Sequence, residues 1–296
     1  MAATATAKEV GACWICGAAE LRLAKPSNLP GPLDSRHFSI TDSHYGTTAA
    51  IYKCPDCGFL QCAEMAEVLS FYEKLEDQDY EAGRAERSLQ SRGILDVLRR
   101  IQPGGRLLDI GAGTGMLVEQ ALQMGYRAEG IEPSQWLHSV ARRRNLPVHL
   151  GTFPAPETTG RFDAITLIDV IEHVPNPVEL LRGIAANLAD AGYAIIVTPD
   201  VGSLAARILK WRWWHFRIAH IGYFDKRTLY RSLQRAGLRP VLLARPGWFF
   251  TADYLWARVR RYLPAFLRLG TPRFLRRIVI PLNLRDSWLV VCARER

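Results

Sequence analysis

Hydrophobic positions follow two alternating patterns from residue 106 to the C-terminus. Short continuous apolar runs, typical of central parallel strands, alternate with segments in which apolar residues recur every three to four positions, as on amphipathic helices. The predicted strands are 106–111, 127–132, 147–150, 163–169, 193–198, 240–244 and 288–293, and the predicted helices are 115–124, 134–144, 177–189 and 226–236. The alternation predicts an α/β fold with a doubly wound, seven-stranded, Rossmann-like sheet.

The first 102 residues have a different character. Residues 1–65 show little periodicity but hold five of the six cysteines, and residues 66–102 show helix-like spacing that ends at Pro103. We therefore expect three parts, which are a small cysteine module at 1–65, a helical connection at 66–102 and the α/β domain at 103–296.

Composition places the protein in a reducing compartment. The N-terminus lacks the basic start and apolar core of a signal peptide, and no apolar run reaches the ~18–20 residues of a membrane span. We expect a cytoplasmic protein, in which cysteines are metal ligands or free thiols more often than disulfides.

The net charge of +9 is concentrated in two segments. Four Lys and Arg residues and no acid lie between Val201 and Phe224, and eight Arg residues and no acid lie between Tyr254 and Arg285. Both segments also contain many aromatic residues, and we interpret them as basic aromatic insertions at about 201–224 and 251–285.

A glycine-rich turn follows the first predicted strand, in the segment LLDIGAGTG at 107–115. The glycines at 111, 113 and 115 do not match a dinucleotide fingerprint, because position 116 is Met, and no Walker lysine follows. Asp109 precedes the turn and would repel a phosphate, but it suits a ligand that carries an ammonium and a sulfonium. The turn therefore predicts a cationic, nucleotide-like ligand.

Glu132 ends the second predicted strand. An acid at this position can accept hydrogen bonds from both ribose hydroxyls, so we expect a ligand with an unphosphorylated ribose.

With two further segments, HLGTF at 149–153 and FDAITLIDVIEHVPNP at 162–177, the chain resembles the class I S-adenosylmethionine-dependent methyltransferases. The resemblance covers roughly residues 100–250 and is to the small-molecule branch, which includes ubiquinone and menaquinone methyltransferases. It implies a methyltransferase sheet and S-adenosylmethionine as cofactor. The cofactor-binding residues that it implies are Asp109, Gly111, Ala112, Gly113 and Gly115 at the methionine and ribose, Glu132 and Pro133 at the ribose, Thr152 and Phe153 at the adenine, and Asp169 and Val170 at the methyl-donating end.

The resemblance also bears on the acceptor. Methyl transfer to a hydroxyl or carbon acceptor requires a base, and His173 follows the strand end that faces the cofactor, so we predict it as the catalytic residue. The alternative is that His173 orders the loop or caps the next helix.

His220 and Tyr223, in a segment that also resembles this branch, are expected to line the acceptor pocket. The Asn/Asp-Pro-Pro-Tyr/Phe motif of enzymes that methylate nucleobase or amide nitrogens is absent, which favours an oxygen or carbon acceptor.

Two Cys-x-x-Cys-Gly turns predict a metal site. Two such turns supply four thiolates in tetrahedral arrangement, for which Zn²⁺ is the common occupant. The predicted ligands are Cys13, Cys16, Cys54 and Cys57, in a structural zinc-ribbon-like module of a kind that similar bacterial methyltransferases carry. The alternative is that these thiols bind no metal.

The basic aromatic insertions leave three interpretations open. In the second insertion, an apolar stripe of a predicted helix comprises Tyr254, Leu255, Val259, Tyr262 and Leu263, with Arg258, Arg260 and Arg261 off the stripe. Such a helix can lie on an anionic membrane surface, here the inner face of the membrane. It can also form a lid or an oligomer contact, or bind nucleic acid through phosphates and stacking.

Together these features predict a methyltransferase that acts on oxygen or carbon of a small or lipid-linked acceptor. Two alternatives are a zinc-ribbon rRNA or tRNA methyltransferase and a non-catalytic membrane-surface scaffold that binds S-adenosylmethionine.

Overall fold

The α/β domain contains the seven-stranded sheet that the sequence predicts. The computed structural model describes residues 11–42, 44–158, 160–260, 263–264, 270 and 272–295. The strands of the central sheet are β4 (Arg106–Ile110), β5 (Arg127–Glu132), β6 (Val148–Leu150), β7 (Phe162–Ile168), β8 (Leu188–Pro199), β10 (Leu238–Ala244) and β13 (Ser287–Arg294).

The strand order is β10-β13-β8-β7-β4-β5-β6. Strands β8, β7, β4, β5 and β6 are parallel, and β13 runs antiparallel to both of its neighbours. The apolar runs of β4, β7 and β8 are buried in the centre. This confirms the doubly wound methyltransferase sheet. It also brings the carboxyl ends of the parallel strands and the start of β13 to one edge.

The helices of this domain lie close to their predicted bounds. They are α4 (Met116–Gln123), α5 (Gln135–Arg143), α6 (Pro177–Asn187) and α8 (Lys226–Arg235). Helix α6 ends two residues early, because Leu188 already pairs with Phe162 in the sheet. Asp225 accepts a hydrogen bond from the backbone N–H of Thr228 and so caps α8.

Residues 66–102 form three helices, which are α1 (Leu69–Glu73), α2 (Gln78–Ala82) and α3 (Arg84–Arg99). Asp77 starts α2 by accepting a hydrogen bond from the N–H of Tyr80 at 2.9 Å. Helix α3 buries Ile94, Leu95 and Leu98 against the sheet domain, so this region covers the edge at which β4 ends.

The N-terminal region has strands β1 (Arg22–Lys25), β2 (Ile51–Lys53) and β3 (Leu60–Gln61), and β3 pairs with β9 (Gly222–Tyr223) of the α/β domain. Phe38 and Trp213 are buried in one shared hydrophobic cluster. The cysteine region and the first insertion are therefore packed together.

The two insertions contain further elements. The first holds α7 (Leu204–Leu209), and the second holds β11 (Trp248–Thr251), α9 (Ala252–Val259) and β12 (Val279–Leu282), which pairs with β11. The predicted apolar stripe is wrong at its end, because α9 stops at Val259 and Leu263 lies beyond it. Arg261 and Tyr262 are outside the described residues. In the described parts of the chain, no helix is long and apolar enough to cross a membrane.

Candidate active site

A cavity of about 660 Å³ opens at the edge of the sheet where the parallel strands end. Ten of the eleven predicted cofactor-binding residues line it, namely Asp109, Gly111, Ala112, Gly113, Glu132, Pro133, Thr152, Phe153, Asp169 and Val170. Gly115 does not line the cavity. It has a φ of 76° and starts α4 instead.

The glycine turn brings backbone close to other groups. Gly111 and Gly113 have φ values of 74° and 56°, which L-residues with a side chain rarely adopt. A Cβ on Gly113 would lie 2.9 Å from Tyr80 Oη, and one on Gly111 would lie 2.5 Å from Val170 Cγ2. Any side chain on the turn would therefore meet atoms of the cavity wall.

Glu132 is buried at the end of β5 and holds the glycine turn. One carboxylate oxygen accepts a hydrogen bond from the N–H of Gly113 and the other from the N–H of Ser134, both at 2.8 Å. Each oxygen keeps a second lone pair for a ligand. Burial raises the pKa of Glu132 to about 7, although the two N–H donors act in the opposite direction.

Asp109 lies at the end of β4 and faces the same cavity. Its carboxylate accepts a hydrogen bond from Thr166 Oγ1 at 2.7 Å. Burial raises the pKa of Asp109 to about 7, and the charge of Glu132 adds to the rise. Two buried carboxyls with raised pKa values favour a cationic ligand between them, because a cation restores the ionised form.

Asp169 follows β7 with a φ of 52°, in the left-handed region. Its enclosed position in the cavity raises its pKa to about 6, and the neighbouring His215 and Arg87 limit the rise. A non-glycine residue in this conformation is strained, and such strain is common at binding sites.

His173 lines the cavity beyond Asp169. Its Nδ1 lies 2.7 Å from the carbonyl oxygen of Ala219 and 2.7 Å from the hydroxyl of Tyr72. Because a carbonyl only accepts, Nδ1 carries the hydrogen and Nε2 keeps its lone pair. Burial lowers the pKa of His173 to about 4, so the ring is neutral at pH 7.

Of the two residues expected at the acceptor pocket, one lines the cavity and the other does not. His220 lines the cavity, and its ring meets that of His173 edge-on, with ring centroids 4.8 Å apart. The expectation is wrong for Tyr223, because its strand β9 pairs with β3 and its ring packs against Phe216, at a centroid distance of 4.9 Å. Tyr223 is therefore in the core between the cysteine region and the first insertion.

Two arginines of α3 lie near the glycine turn. The guanidinium of Arg87 lies 4.4 Å from the centroid of the Tyr80 ring, and its buried Nε has no hydrogen-bond partner. In the described parts of the chain it forms no ion pair. Arg84 differs, because it bonds Glu119 at 2.6 Å and the carbonyl oxygen of Thr114 at 2.8 Å and so anchors α3 to the glycine turn.

The sequence did not predict the other wall of the cavity. It is built by the N-terminal region and both insertions, and its residues include Phe38, Ile40, Tyr45, Trp214, His215, Arg217, Trp248, Phe250, Tyr254 and Asp286. The residues are far apart in the sequence. For the residues of the insertions, the signal was the aromatic content, of which a lid was one interpretation, whereas the N-terminal residues carried no such signal.

The four predicted metal ligands come together in the N-terminal region. One atom from each of the four residues lies within 4.8 Å of the others, and the Sγ atoms of Cys13 and Cys57 and of Cys16 and Cys54 are 3.5 Å apart. Zn–S bonds of 2.3 Å place tetrahedral sulfurs about 3.8 Å apart, so the donor set fits Zn²⁺. Without a cation, burial raises the pKa of Cys13 to about 11.

Comparisons with known proteins agree with this geometry. The family described as "Methyltransferase domain" matches residues 82–243. Ubiquinone biosynthesis O-methyltransferase of Xanthomonas campestris pv. campestris (strain B100) is 34% identical over 104 residues, which are 32% of this chain and 44% of that protein. The protein of the same name from Xanthomonas axonopodis pv. citri (strain 306) is 33% identical over 111 residues, 34% of this chain and 46% of that protein. The chain thus spans less than half the length of these relatives.

One solved structure supports the fold. A SAM-dependent methyltransferase from Archaeoglobus fulgidus has a TM-score of 0.50 and 17% identity, over 73% of this chain and 99% of that one. The family match extends over more than half of the chain and includes the glycine turn, Glu132 and Asp169. The chain therefore belongs to the family of class I S-adenosylmethionine-dependent methyltransferases.

Proposed function

We propose that this protein transfers a methyl group from S-adenosylmethionine to oxygen or carbon of a small or lipid-linked acceptor. The supporting observation is that one cavity has two different ends. Acidic residues and the glycine turn lie at one end, and an apolar, aromatic wall lies at the other. A cationic nucleoside and an apolar acceptor could therefore meet in one cavity.

The proposed cofactor end uses residues that match the parts of S-adenosylmethionine. Glu132 would accept hydrogen bonds from the ribose hydroxyls, and Asp109 would face the ammonium and sulfonium. Arg87 is a cation without a carboxylate partner in the described part of the chain, and it would bind the carboxylate of the methionine portion. Thr152 and Phe153 would lie at the adenine, and Asp169 and Val170 at the methyl-donating end.

S-adenosylmethionine supplies an activated methyl group on its sulfonium. The chain must align the acceptor, keep water out and remove a proton. His173 lines the cavity and stays the base that the sequence predicts, although burial lowers its pKa to about 4 and so makes it a weak base. The apolar wall would orient an aromatic or isoprenoid-like acceptor with its reactive group toward Asp169 and His173.

The cysteine site would hold a structural Zn²⁺ through Cys13, Cys16, Cys54 and Cys57, with no open coordination position. The ion would hold the two turns of a module within residues 1–65, while residues 66–102 connect it to the methyltransferase domain at 103–296. The module reaches the cavity through its loop near Ile40, whose carbonyl oxygen accepts a hydrogen bond from Arg217 at 3.0 Å. Zinc would thus affect the cavity only by holding the module to which this loop belongs.

The experiment that tests this function uses methyl-labelled S-adenosylmethionine. The purified protein is incubated with a panel of prenylated catechols and alkyl phenols and, separately, with a total RNA pool. We expect label in the organic-soluble phenols. Label in RNA would favour the rRNA or tRNA methyltransferase, and cofactor binding with no transfer to either pool would favour the non-catalytic scaffold.

We also propose that the first insertion binds an anionic membrane surface. Leu204 and Ile208, one turn apart on α7, are 72% and 69% exposed, and Trp211, two residues after the helix, is 38% exposed. Arg207, Lys210 and Arg212 lie among them with no acid in the segment. Apolar side chains with interleaved cations suit a lipid interface, where each basic residue contributes ~1 kcal/mol.

This proposal predicts the result of a vesicle flotation assay. The protein should float with vesicles of phosphatidylcholine and phosphatidylglycerol and much less with phosphatidylcholine alone. The double variant Leu204→Ser/Ile208→Ser should lose binding by about tenfold or more, because it removes apolar contact with the acyl chains. Leu122→Ser, at an exposed position on α4, is the matched control and should bind normally. Equal flotation with both kinds of vesicle would contradict the proposal.

A further inference from the structure

The cavity contains a histidine whose surroundings differ from those of His173. His215, from the first insertion, has Nε2 3.6 Å from Oδ2 of Asp286, which immediately precedes β13. Because β13 is antiparallel to its neighbours, its first residues lie at the edge where β7 and β8 end. Asp286 is thereby brought to the cavity from the far end of the sequence.

Asp286 is held as a carboxylate. It is buried, which favours the neutral acid, but His215 and the indole N–H of Trp214 outweigh this and hold its pKa below the usual range. Trp214 Nε1 donates to the same Oδ2 at 2.9 Å. A carboxylate fixed in this way stabilises a positive charge on the facing imidazole.

The ring of His215 is fixed on two sides. The ring of Trp213 meets it edge-on at a centroid distance of 4.8 Å, and that of His220 stacks on it at 5.5 Å with an interplanar angle of 17°. With Nε2 toward Asp286, Nδ1 is the nitrogen left to accept a proton. The side chain keeps 24% of its surface exposed, so it is accessible from the cavity.

The other two imidazoles of the cavity are poor bases. Burial lowers the pKa of His173 to about 4 and that of His220 well below its usual value. Glu172 lies 3.9 Å from His173, but burial raises its pKa well above the usual range, which weakens its support for a charge on His173. Of the three rings, His215 has the ionised partner.

We propose that His215, paired with Asp286, is the group that accepts the proton of the acceptor during methyl transfer. This inference rests on the proposed function. In the step, the acceptor oxygen forms a bond to the methyl carbon, the carbon–sulfur bond breaks with its electron pair going to sulfur, and the hydroxyl proton moves to His215 Nδ1. Asp286 is a positioning residue that stabilises the imidazolium until the proton passes to solvent.

Asp286 is the acid that faces His215, and Asp169, Arg217, His173 and His220 are the other ionisable groups in this part of the cavity. A base must be unprotonated to act, so activity should fall on the acid side of the pH profile of kcat/KM. Asp286→Asn removes a negative charge beside the ring, so it should move this acid limb to lower pH, by about one unit.

Kinetics with the phenol or catechol that the wild type methylates best test the pair. His215→Gln should lower kcat by about 100-fold or more with cofactor affinity within twofold, and Asp286→Asn should show the shifted acid limb.

His149→Gln, on β6 at the other end of the sheet, controls for loss of any histidine and should keep normal kcat. An unshifted acid limb in Asp286→Asn, or an acid limb that disappears in His173→Gln and persists in His215→Gln, would overturn the inference. If the wild type methylates no member of the panel, the proposed function fails, whereas wild-type methylation that His215→Gln leaves unchanged would overturn this inference alone.

Discussion

Glu132→Ala should weaken S-adenosylmethionine binding by about 100-fold or more. In the proposed cofactor site, the carboxylate of Glu132 would accept hydrogen bonds from two ribose hydroxyls. Hydrogen bonds to a charged group contribute about 1.5–3 kcal/mol each, and ~1.4 kcal/mol corresponds to a factor of ten in the dissociation constant. The substitution also frees the N–H of Gly113, which Glu132 holds at 2.8 Å. Isothermal titration calorimetry measures the affinity directly.

Glu129→Ala is the matched control. Glu129 lies on the same strand but pairs with Arg106 at 2.9 Å, away from the cavity. We expect cofactor affinity close to that of the wild type. Circular dichroism of both variants separates loss of binding from loss of fold. Tight binding by a well-folded Glu132→Ala protein would contradict the assignment of the ribose site.

Cys54→Ser should release the metal and destabilise the N-terminal region. We expect about one zinc per chain in the purified wild type and little zinc in the variant, because a tetrahedral site needs all four sulfurs. Structural zinc contributes about 10–16 kcal/mol to the folding of zinc-finger peptides. Loss of even a few kcal/mol should lower Tm by on the order of 10 °C.

Cys62→Ala is the control for the zinc prediction. Cys62 is a buried free cysteine of the same region but does not belong to the four-sulfur cluster. This variant should keep its zinc, as measured by inductively coupled plasma mass spectrometry, with only the stability loss of a small core change. A wild type without zinc, or a Cys54→Ser protein with an unchanged Tm, would show that the thiols are not a structural metal site.

The sequence allowed the grouping of Asp109 and Glu132 at one cavity to be predicted because it depends on local patterns. Asp109 and Glu132 each end a parallel strand, and parallel strands in a doubly wound sheet end at one edge. Hydrophobic periodicity therefore placed both acids together without any long-range information. Asp169 follows the third of these strands, but its expected place came from the resemblance to class I methyltransferases.

The acceptor end could not be predicted because it depends on distant contacts. Trp214 and Asp286 are 72 positions apart, and the loop near Ile40 is 177 positions from Arg217. No local pattern encodes these pairs. Tyr223 shows how a local expectation can fail. We expected it in the pocket because of its neighbours in the sequence, but β9 pairs with β3 and so places Tyr223 in the core.

The insertions illustrate how composition indicates a role without fixing a position. Their Arg and aromatic content left a membrane surface, a lid and a nucleic-acid site open. In the structure, Trp214 and Tyr254 line the cavity, whereas Leu204 and Ile208 point to solvent. Cavity-facing and exposed apolar residues lie within one insertion, so covering the acceptor and binding a membrane are compatible roles.

A crystal structure of the protein with S-adenosylhomocysteine tests the central claim most directly. We predict that both ribose hydroxyls lie within hydrogen-bond distance of the Glu132 carboxylate and that the sulfur faces the part of the cavity that contains Asp169 and His215. A nucleoside bound with its ribose away from Glu132, or a phosphorylated nucleotide in its place on the glycine turn, would contradict the account.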